Sequence, residues 1–270
     1  MTIRKLGGKK PKILLIQGSP RKEKSCSNQT SKSEKVCEYL LDKWSPFVDF
    51  EYVNLSIGQV IIQPCKGCIS TANGMHCHWK CSCYQKGSRQ APDLMYESDI
   101  YDKLEFCDGF LIVSPIHWYS VSTQVKAMFD RLVCANLTLT KDEAIQIFGD
   151  GNIKTADLTG QAELEGNYKH LLKNHLEGKW ASFLVHGDDG ANDYDGNQPM
   201  TGDISWDVRN SVMPLVYQCR YSMMNCPDDL VEAFYINKGL DYYEANLQPN
   251  QKLFFKADEL MDRLVKHLGY

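Results

Sequence analysis

The sequence lacks an excess of basic residues, since its 270 residues include 30 Lys and Arg against 34 Asp and Glu, a formal net charge of −4. Proteins that bind nucleic acid through its phosphates need a basic surface, so this balance argues against that function. No stretch reaches the roughly eighteen consecutive apolar residues of a membrane span. The apolar run after the basic N-terminus is too short for a signal peptide, and we therefore expect a cytoplasmic protein.

Proline is scarce at 10 residues, and no Pro- or Ser-rich linker or internal repeat divides the chain. With 43% hydrophobic residues the composition is that of a globular protein, and the sequence predicts one domain over residues 1–270. Neither a Walker A lysine motif nor a G-x-G-x-x-G is present, which argues against a nucleoside triphosphatase and against a dinucleotide-binding Rossmann site.

Three short apolar runs, each stopped by a turn, predict central strands of a parallel sheet at residues 12–17, 109–115 and 181–187. Further strands are predicted at 47–55 and 231–236, and helices at 28–44, 124–133 and 252–268. Strands that alternate with helices indicate an α/β fold, a doubly wound parallel sheet with helices on both faces. A Cys-rich insertion at about 64–90 and a polar insertion at about 137–179 interrupt this pattern.

Ligands of open parallel sheets bind outside the carboxyl ends of the strands. The loop after the first strand, residues 18–30, is rich in hydroxyl and basic side chains and leads into a helix. Such a loop can hold a phosphate through hydroxyls, backbone amides and the helix N-terminus, with Arg21 or a lysine adding charge. The alternative interpretation is an ordinary helix cap with solvated charges.

Several motifs follow the predicted strands in a family-specific order. They are Gly18-Ser19-Pro20-Arg21 with Ser27-Asn28, then DGFLIVSPIHW at 108–118, then SVSTQVKAMFDR at 120–131. Over roughly residues 12–135 the sequence thereby resembles the flavodoxin-like NAD(P)H-dependent FMN reductases, which include quinone reductases and iron–sulfur flavoproteins. The resemblance implies a flavodoxin-like fold, FMN held without a covalent bond, and a homodimer or homotetramer.

The resemblance also implies which residues bind FMN. The phosphate would be held by Ser19, Arg21, Ser27 and Asn28, with Thr30 a weaker candidate and Ser25 competing with Ser27. The ring edge would be lined by Pro115, Ile116, His117 and Trp118, and the third flavin loop would contain His186, Gly187 and Asp188. The alternative interpretations are a core aromatic for Trp118 and a surface histidine for His117. Charges at Lys126, Asp130 and Arg131 are interpreted as helix-surface or interface groups.

Five cysteines and two histidines lie within residues 65–83, a density that core packing does not explain. Cys65, Cys68, Cys77 and Cys81 are candidate ligands of an iron–sulfur cluster or zinc, with Cys83 as an alternative. The spacing departs from the motif of iron–sulfur flavoproteins, so a loop of reduced thiols without metal, or a redox-active pair, stays open. The other six cysteines are expected to be structural.

The resemblance implies an enzyme that passes hydride from NAD(P)H through flavin N5 to a quinone, flavin or other aromatic acceptor. Because the cofactor carries this chemistry, no catalytic side chain is expected. Trp118 and Tyr119 would form the wall for the stacked substrate, with Trp79, Tyr84 and Tyr194 as outer candidates. One alternative is an electron-transfer protein that uses a metal cluster in residues 65–83, and another is a flavodoxin-like binding module.

Overall fold

The structure is a computed structural model. It describes residues 9–21, 30–57, 59–67, 77, 79–81, 84, 93–94, 98–136, 138–139, 142–143, 146, 173–188, 208–236 and 252–270. Within these ranges no helix has both the length and the apolar character needed to cross a bilayer.

A parallel sheet forms the centre of the molecule. Its strands in chain order are β1 (Lys12–Gln17), β2 (Asp49–Asn54), β3 (Gly109–His117), β4 (Ser120–Val121), β5 (Trp180–Asp188) and β6 (Val231–Ile236). They lie side by side in the order β2-β1-β3-β5-β6, and β4 pairs with β3 in an antiparallel hairpin. The three apolar runs of the sequence are the three central strands, as expected for strands covered on both faces.

Helices cover both faces of this sheet. They are α1 (Lys32–Trp44), α2 (Ile100–Phe106), α3 (Thr123–Arg131), α4 (Met213–Tyr221) and α5 (Lys252–His267). Alternate residues of β1 serve the two cores: Leu14 and Ile16 pack with α2, α3 and α4, whereas Ile13 and Leu15 pack with α1 and α5. This is the predicted α/β doubly wound sheet, and its flavodoxin-like strand order is confirmed.

Most predicted boundaries shift by one or two residues, and two of the shifts have a visible reason. The first helix begins at Lys32 instead of residue 28, because Ser31 caps it by accepting a hydrogen bond from Glu34 N at 3.0 Å. The second central strand continues past Pro115 to His117, because its last two residues pair with β4. Helices α2 and α4 were not predicted, since both are short and α4 exposes Tyr217 and Tyr221 beside its buried residues.

The polar insertion at 137–179 leaves and rejoins the fold at one place. Thr138 N donates to Lys173 O at 3.2 Å, and Lys173 N donates to Thr138 O at 3.3 Å. His175 N then donates to Ala135 O at 2.9 Å, which returns the chain to the end of the 3-10 helix Leu132–Ala135. Closing the insertion in this way leaves β3 and β5 paired as neighbours.

Candidate functional site

The loops after β1 and β3 flank the point where the strand order reverses, which is where open α/β sheets bind ligands. Gly18 N donates to Val113 O at 2.7 Å, and the Ser122 hydroxyl donates to the Gly18 carbonyl. A Cβ at Gly18 would lie 2.5 Å from Val125 Cγ2, so only glycine allows β1 to end this close to α3. The two loops are therefore held together at the carboxyl edge of the sheet.

Residues 18–21, the described start of the loop after β1, present polar groups in a preset arrangement. Ser19 is buried, and its hydroxyl oxygen accepts a hydrogen bond from Arg21 N at 3.3 Å, which leaves the hydroxyl hydrogen available to another acceptor. The Arg21 side chain is exposed beside it. A hydroxyl donor next to a guanidinium suits an anion such as a phosphate. Ser27 and Asn28, the other predicted phosphate ligands, lie outside the described residues.

A second set of polar groups lies beneath this loop and was missed in the sequence. Gln17 is fully buried, its Oε1 accepts from Ser19 N, and its Nε2 donates to Asn54 Oδ1 at 3.2 Å. Asn54 Nδ2 in turn donates to Glu34 Oε1 at 3.0 Å. The available signal was a glutamine at the end of an otherwise apolar strand, where an unpaired amide would be costly.

The β3–β4 hairpin carries the aromatic part of the site. Its two turn residues, Trp118 and Tyr119, have φ values of 47° and 64°, the left-handed conformation that two-residue hairpins need and that aromatic residues rarely adopt. Trp118 is 88% exposed, so its interpretation as a core aromatic is wrong. A strained turn that exposes an indole is an arrangement that folding alone does not favour, and it points to a ligand-binding role.

His117 links the hairpin to the loop after β1. Its pKa is lowered by desolvation and by the positive charge of Arg21, so the imidazole is predominantly neutral at pH 7. Arg21, of the loop after β1, therefore lies within electrostatic reach of the hairpin. Pro115 and Ile116 precede it in β3 and are half-buried.

His186, at the end of β5, points away from open solvent. Its Nε2 lies 2.9 Å from Ser33 Oγ in the first turn of α1, and the imidazole is buried. Burial, followed by the charges of Lys32 and His117, lowers the pKa of His186 to about 3, so the ring is neutral. The His186 side chain is therefore engaged within the protein by Ser33.

The charged residues of α3 divide into two kinds. Lys126 and Asp130 form an exposed ion pair one turn apart, as predicted. Arg131 is buried, so its interpretation as a surface charge is wrong. Its two terminal nitrogens donate to the Asp93 carboxylate at 2.7 and 2.9 Å, and one of them also donates to Cys81 Sγ at 3.3 Å. Three residues after Met128, Arg131 falls on the inward face of the helix.

Only part of the Cys-rich insertion is described, namely residues 64–67, 77, 79–81 and 84. These include Cys65, Cys77 and Cys81, whereas Cys68 and Cys83 lie outside the described residues. In the described part of the chain, no three His, Cys, Asp or Glu side chains gather as a metal site. Cys81 instead accepts the hydrogen bond from Arg131, and Cys65 Sγ accepts one from Gly67 N at 3.3 Å. The described thiols therefore do not by themselves fit a zinc ion or an iron–sulfur cluster.

Trp79 and Tyr84 are core residues, so their interpretation as an outer substrate wall is wrong. Trp79 packs edge-on against Tyr101, with ring centroids 5.2 Å apart, and stacks on His175 at 5.1 Å. The Tyr84 ring lies under the Arg131 guanidinium at 4.9 Å. Tyr194 lies outside the described residues. These contacts attach the Cys-rich insertion to α2, α3 and the end of the polar insertion.

The donor set at this edge of the sheet fits a flavin mononucleotide. A hydroxyl, a guanidinium and the nearby start of α1 match a phosphate, while an exposed indole on the adjoining hairpin matches a flat aromatic ring. Both features lie on described residues, 18–21 after β1 and 118–119 after β3. The arrangement can therefore hold an elongated ligand with an anionic end and an aromatic end.

Comparisons with known proteins identify the family. Residues 11–152, just over half of the chain, match the family described as NADPH-dependent FMN reductase. An iron–sulfur flavoprotein of Methanosarcina thermophila is 28% identical over 122 residues, which cover 45% of this chain and 52% of that protein. The chain thus matches about half the length of this relative.

Two solved structures resemble the fold over 96% of the chain. RosB, in a structure with a bound 8-demethyl-8-formylriboflavin-5'-phosphate intermediate, is 12% identical with a TM-score of 0.50, and 80% of it is covered. A flavone reductase is 14% identical with a TM-score of 0.47, and 63% of it is covered. At 12% identity the likeness to RosB shows a shared fold alone.

Proposed function

The chain belongs to the NADPH-dependent FMN reductase family, and from this premise we propose that it is an FMN-dependent oxidoreductase that uses NAD(P)H to reduce a quinone, a flavin or another aromatic acceptor. FMN, when bound, supplies the redox chemistry by accepting a hydride and passing electrons on. The observation that carries the proposal is that the loop after β1 is held against the segment that follows the β3–β4 hairpin: the Ser122 hydroxyl donates to the Gly18 carbonyl, and Gly18 N donates to Val113 O of β3 at 2.7 Å.

In this proposal the loop after β1 binds the phosphate. The Ser19 hydroxyl and the Arg21 guanidinium are the described ligands, and Ser27 and Asn28 complete the set predicted by the family resemblance. An arginine adds both charge and directed hydrogen bonds to a phosphate. The negative charge is further favoured by the N-terminus of α1, which begins at Lys32.

The hairpin and the end of β5 hold the ring. Pro115, Ile116, His117 and Trp118 line one edge of the flavin ring, and the Trp118 indole also offers a flat surface for stacking a nicotinamide or an aromatic acceptor. Donor and acceptor would occupy this surface in turn, which gives ping-pong kinetics. The backbone of His186, Gly187 and Asp188 approaches from the neighbouring strand, since Pro115 pairs with His186 in the sheet.

The absorption spectrum of protein purified without oxygen tests this proposal. We expect flavin bands, either as isolated or after incubation with FMN, and we expect NADPH or NADH to bleach them. The faster of the two nucleotides identifies the donor, and turnover with quinones or free flavins identifies the acceptor class. A protein that binds no FMN under these conditions contradicts the proposal and favours a binding module on the same fold.

A second candidate is an electron-transfer protein with an iron–sulfur cluster in the Cys-rich insertion. It is favoured by the name of the Methanosarcina relative and by the five cysteines within residues 65–83. Iron and acid-labile sulfide analysis of anaerobic protein tests it, together with the double variant Cys65→Ser/Cys68→Ser. Stoichiometric iron that the double variant loses would support this candidate. Metal-free protein with full NAD(P)H oxidation would contradict it.

We also propose that the chain acts as a homodimer or homotetramer, as the family resemblance implies. Light scattering coupled to size-exclusion chromatography measures this directly. A mass of 30.8 kDa, that of one chain, would contradict the proposal.

A further inference from the structure

Gln17 closes β1 with a side chain that is completely buried, although the five residues before it belong to an apolar strand. Both ends of its amide are used. The Oε1 atom accepts a hydrogen bond from Ser19 N, and the Nε2 atom donates to Asn54 Oδ1 at 3.2 Å. The amide therefore joins the loop after β1 to the end of the neighbouring strand β2.

The partners determine which way each amide faces. Asn54 Oδ1 accepts from Ser56 N at 2.9 Å as well as from Gln17, so the Asn54 Nδ2 group must be the donor on the other side. It donates to Glu34 Oε1 at 3.0 Å, and an ionised carboxylate can only accept. Hydrogen bonds thus run in one direction from Ser19 through two amides to a carboxylate, and reversing either amide would oppose like groups.

This arrangement determines the conformation of Ser19. Its N–H is held by Gln17, and its hydroxyl oxygen accepts from Arg21 N at 3.3 Å, so the hydroxyl hydrogen remains for a ligand. Without the Gln17 acceptor, a buried backbone N–H would lose its partner and the loop would rearrange to satisfy it. Gln17 itself lies beneath the loop and is fully covered by protein.

We propose that Gln17 is a positioning residue for the phosphate group of FMN, oriented by Asn54 and Glu34, and that it makes the site selective for the phosphorylated flavin. The proposal rests on the proposed function, because it concerns the same phosphate-binding loop. It adds residues that do not touch the cofactor and that the family motifs do not include.

Affinity for FMN relative to riboflavin separates positioning from a general structural role. Riboflavin carries the same ring without the phosphate, so a variant that merely loosens the fold weakens both ligands alike. Gln17→Leu removes both hydrogen bonds. Gln17→Glu keeps the size and the acceptor for Ser19 N, but its second oxygen faces Asn54 Oδ1 and its charge opposes the phosphate. Ser182→Ala is the matched control, since Ser182 lies in β5 and its buried hydroxyl donates to Leu230 O at 3.1 Å.

Quenching of flavin fluorescence gives both dissociation constants for each protein. We expect Gln17→Leu to raise the dissociation constant for FMN about tenfold, the loss of one or two hydrogen bonds, with riboflavin unchanged within about twofold. Gln17→Glu is expected to show a larger selective loss, and Ser182→Ala none. If Gln17→Leu does not fold, the ratio of the FMN and riboflavin dissociation constants of Gln17→Glu tests the proposal.

Two results overturn the inference: equal weakening of FMN and riboflavin, or a preference for FMN that both Gln17 variants retain. Either result leaves the proposed function standing, because the native protein still binds FMN. A native protein that binds neither flavin contradicts the proposed function as well, so the two failures are distinguishable.

Discussion

The two ends of the proposed flavin crevice are built in opposite ways. At the phosphate end, Gln17 Oε1 accepts from Ser19 N and the Ser19 hydroxyl accepts from Arg21 N, so residues 18–21 are held by the protein's own hydrogen bonds. At the ring end, Trp118 and Tyr119 stand on left-handed backbone, and the Trp118 indole is 88% exposed.

The difference follows from what each end must recognise. Hydrogen-bonding groups can be satisfied by the protein and still leave one donor for a phosphate, so that end costs little stability. A stacking surface has no such substitute, because an indole that is covered by protein is unavailable to a planar ligand. The ring end therefore retains strain and exposed apolar area, whereas the phosphate end contributes to the folded state.

The largest expected effect comes from a substitution at the phosphate end of the crevice. Gly18→Ala places a Cβ 2.5 Å from Val125 Cγ2, and we expect the free energy of unfolding to fall by about 1–3 kcal/mol. Because the clash displaces Ser19, FMN affinity should fall more than riboflavin affinity. Gly109→Ala is the matched control, since its Cβ would meet Trp180 O at 3.0 Å at the opposite edge of the sheet. Urea unfolding and flavin titration measure both, and selective loss of FMN in the control would contradict this account.

His186 pairs with Pro115 in the sheet, and its side chain contacts Ser33 in the first turn of α1. Burial lowers the pKa of His186 to about 3 in the folded protein, against an ordinary value near 6.5. Between these pH values the unfolded chain binds a proton at this residue and the folded chain does not. This group therefore costs no stability above pH 6.5 and lowers stability as the pH falls below it. At pH 5 the loss is up to about 2 kcal/mol.

Replacing the imidazole should remove that part of the pH dependence. We expect His186→Gln to lose less stability between pH 6.5 and pH 5 than the native protein, while Ser182→Ala, a buried variant that cannot titrate, keeps the native slope. Urea unfolding at several pH values measures the slopes. If the free energy of unfolding changes with pH in the same way in the native protein and in His186→Gln, the pKa of the buried imidazole is not lowered by folding.

The smallest expected effect is a gain in stability, and it comes from a substitution at the ring end of the crevice. Trp118→Gly relieves the left-handed backbone at φ 47°, and we expect a gain in unfolding free energy of about 0.5–1 kcal/mol. Loss of the stacking surface should weaken FMN and riboflavin equally. Trp118→Phe keeps an aromatic ring and the strain, so it should retain flavin binding at native stability. Normal binding of both flavins by Trp118→Gly would show that the indole is not part of the flavin site.

The sheet could be predicted from the sequence because its three central strands are buried on both faces and therefore appear as uninterrupted apolar runs. Their order along the chain, with helices between them, determined the fold class. Helix α2 could not be predicted, since in seven residues it buries only Ile100, Tyr101 and Leu104, too few for a clear periodicity. The loops after β1 and β3 were found through their motifs, and they do meet at one edge.

What the sequence did not show depends on contacts between distant residues. Arg131 was interpreted as a surface charge because its partner Asp93 lies 38 positions earlier, just after the Cys-rich insertion, and only folding brings the two together. The hairpin turn at Trp118 and Tyr119 contains neither Asn nor Gly, so no turn signal marked it. The orientation of His186 toward Ser33 likewise follows from tertiary packing and not from its own strand.

The central claim, that the loop after β1 binds the phosphate of FMN, is tested most directly by titrating FMN and riboflavin into the native protein and into Ser19→Ala/Arg21→Ala. Each lost hydrogen bond to a charged phosphate is worth about 1.5–3 kcal/mol, so the double variant should weaken FMN at least about a hundredfold. Riboflavin should be affected within about twofold, since it has no phosphate. Unchanged FMN affinity in the double variant would contradict the assignment.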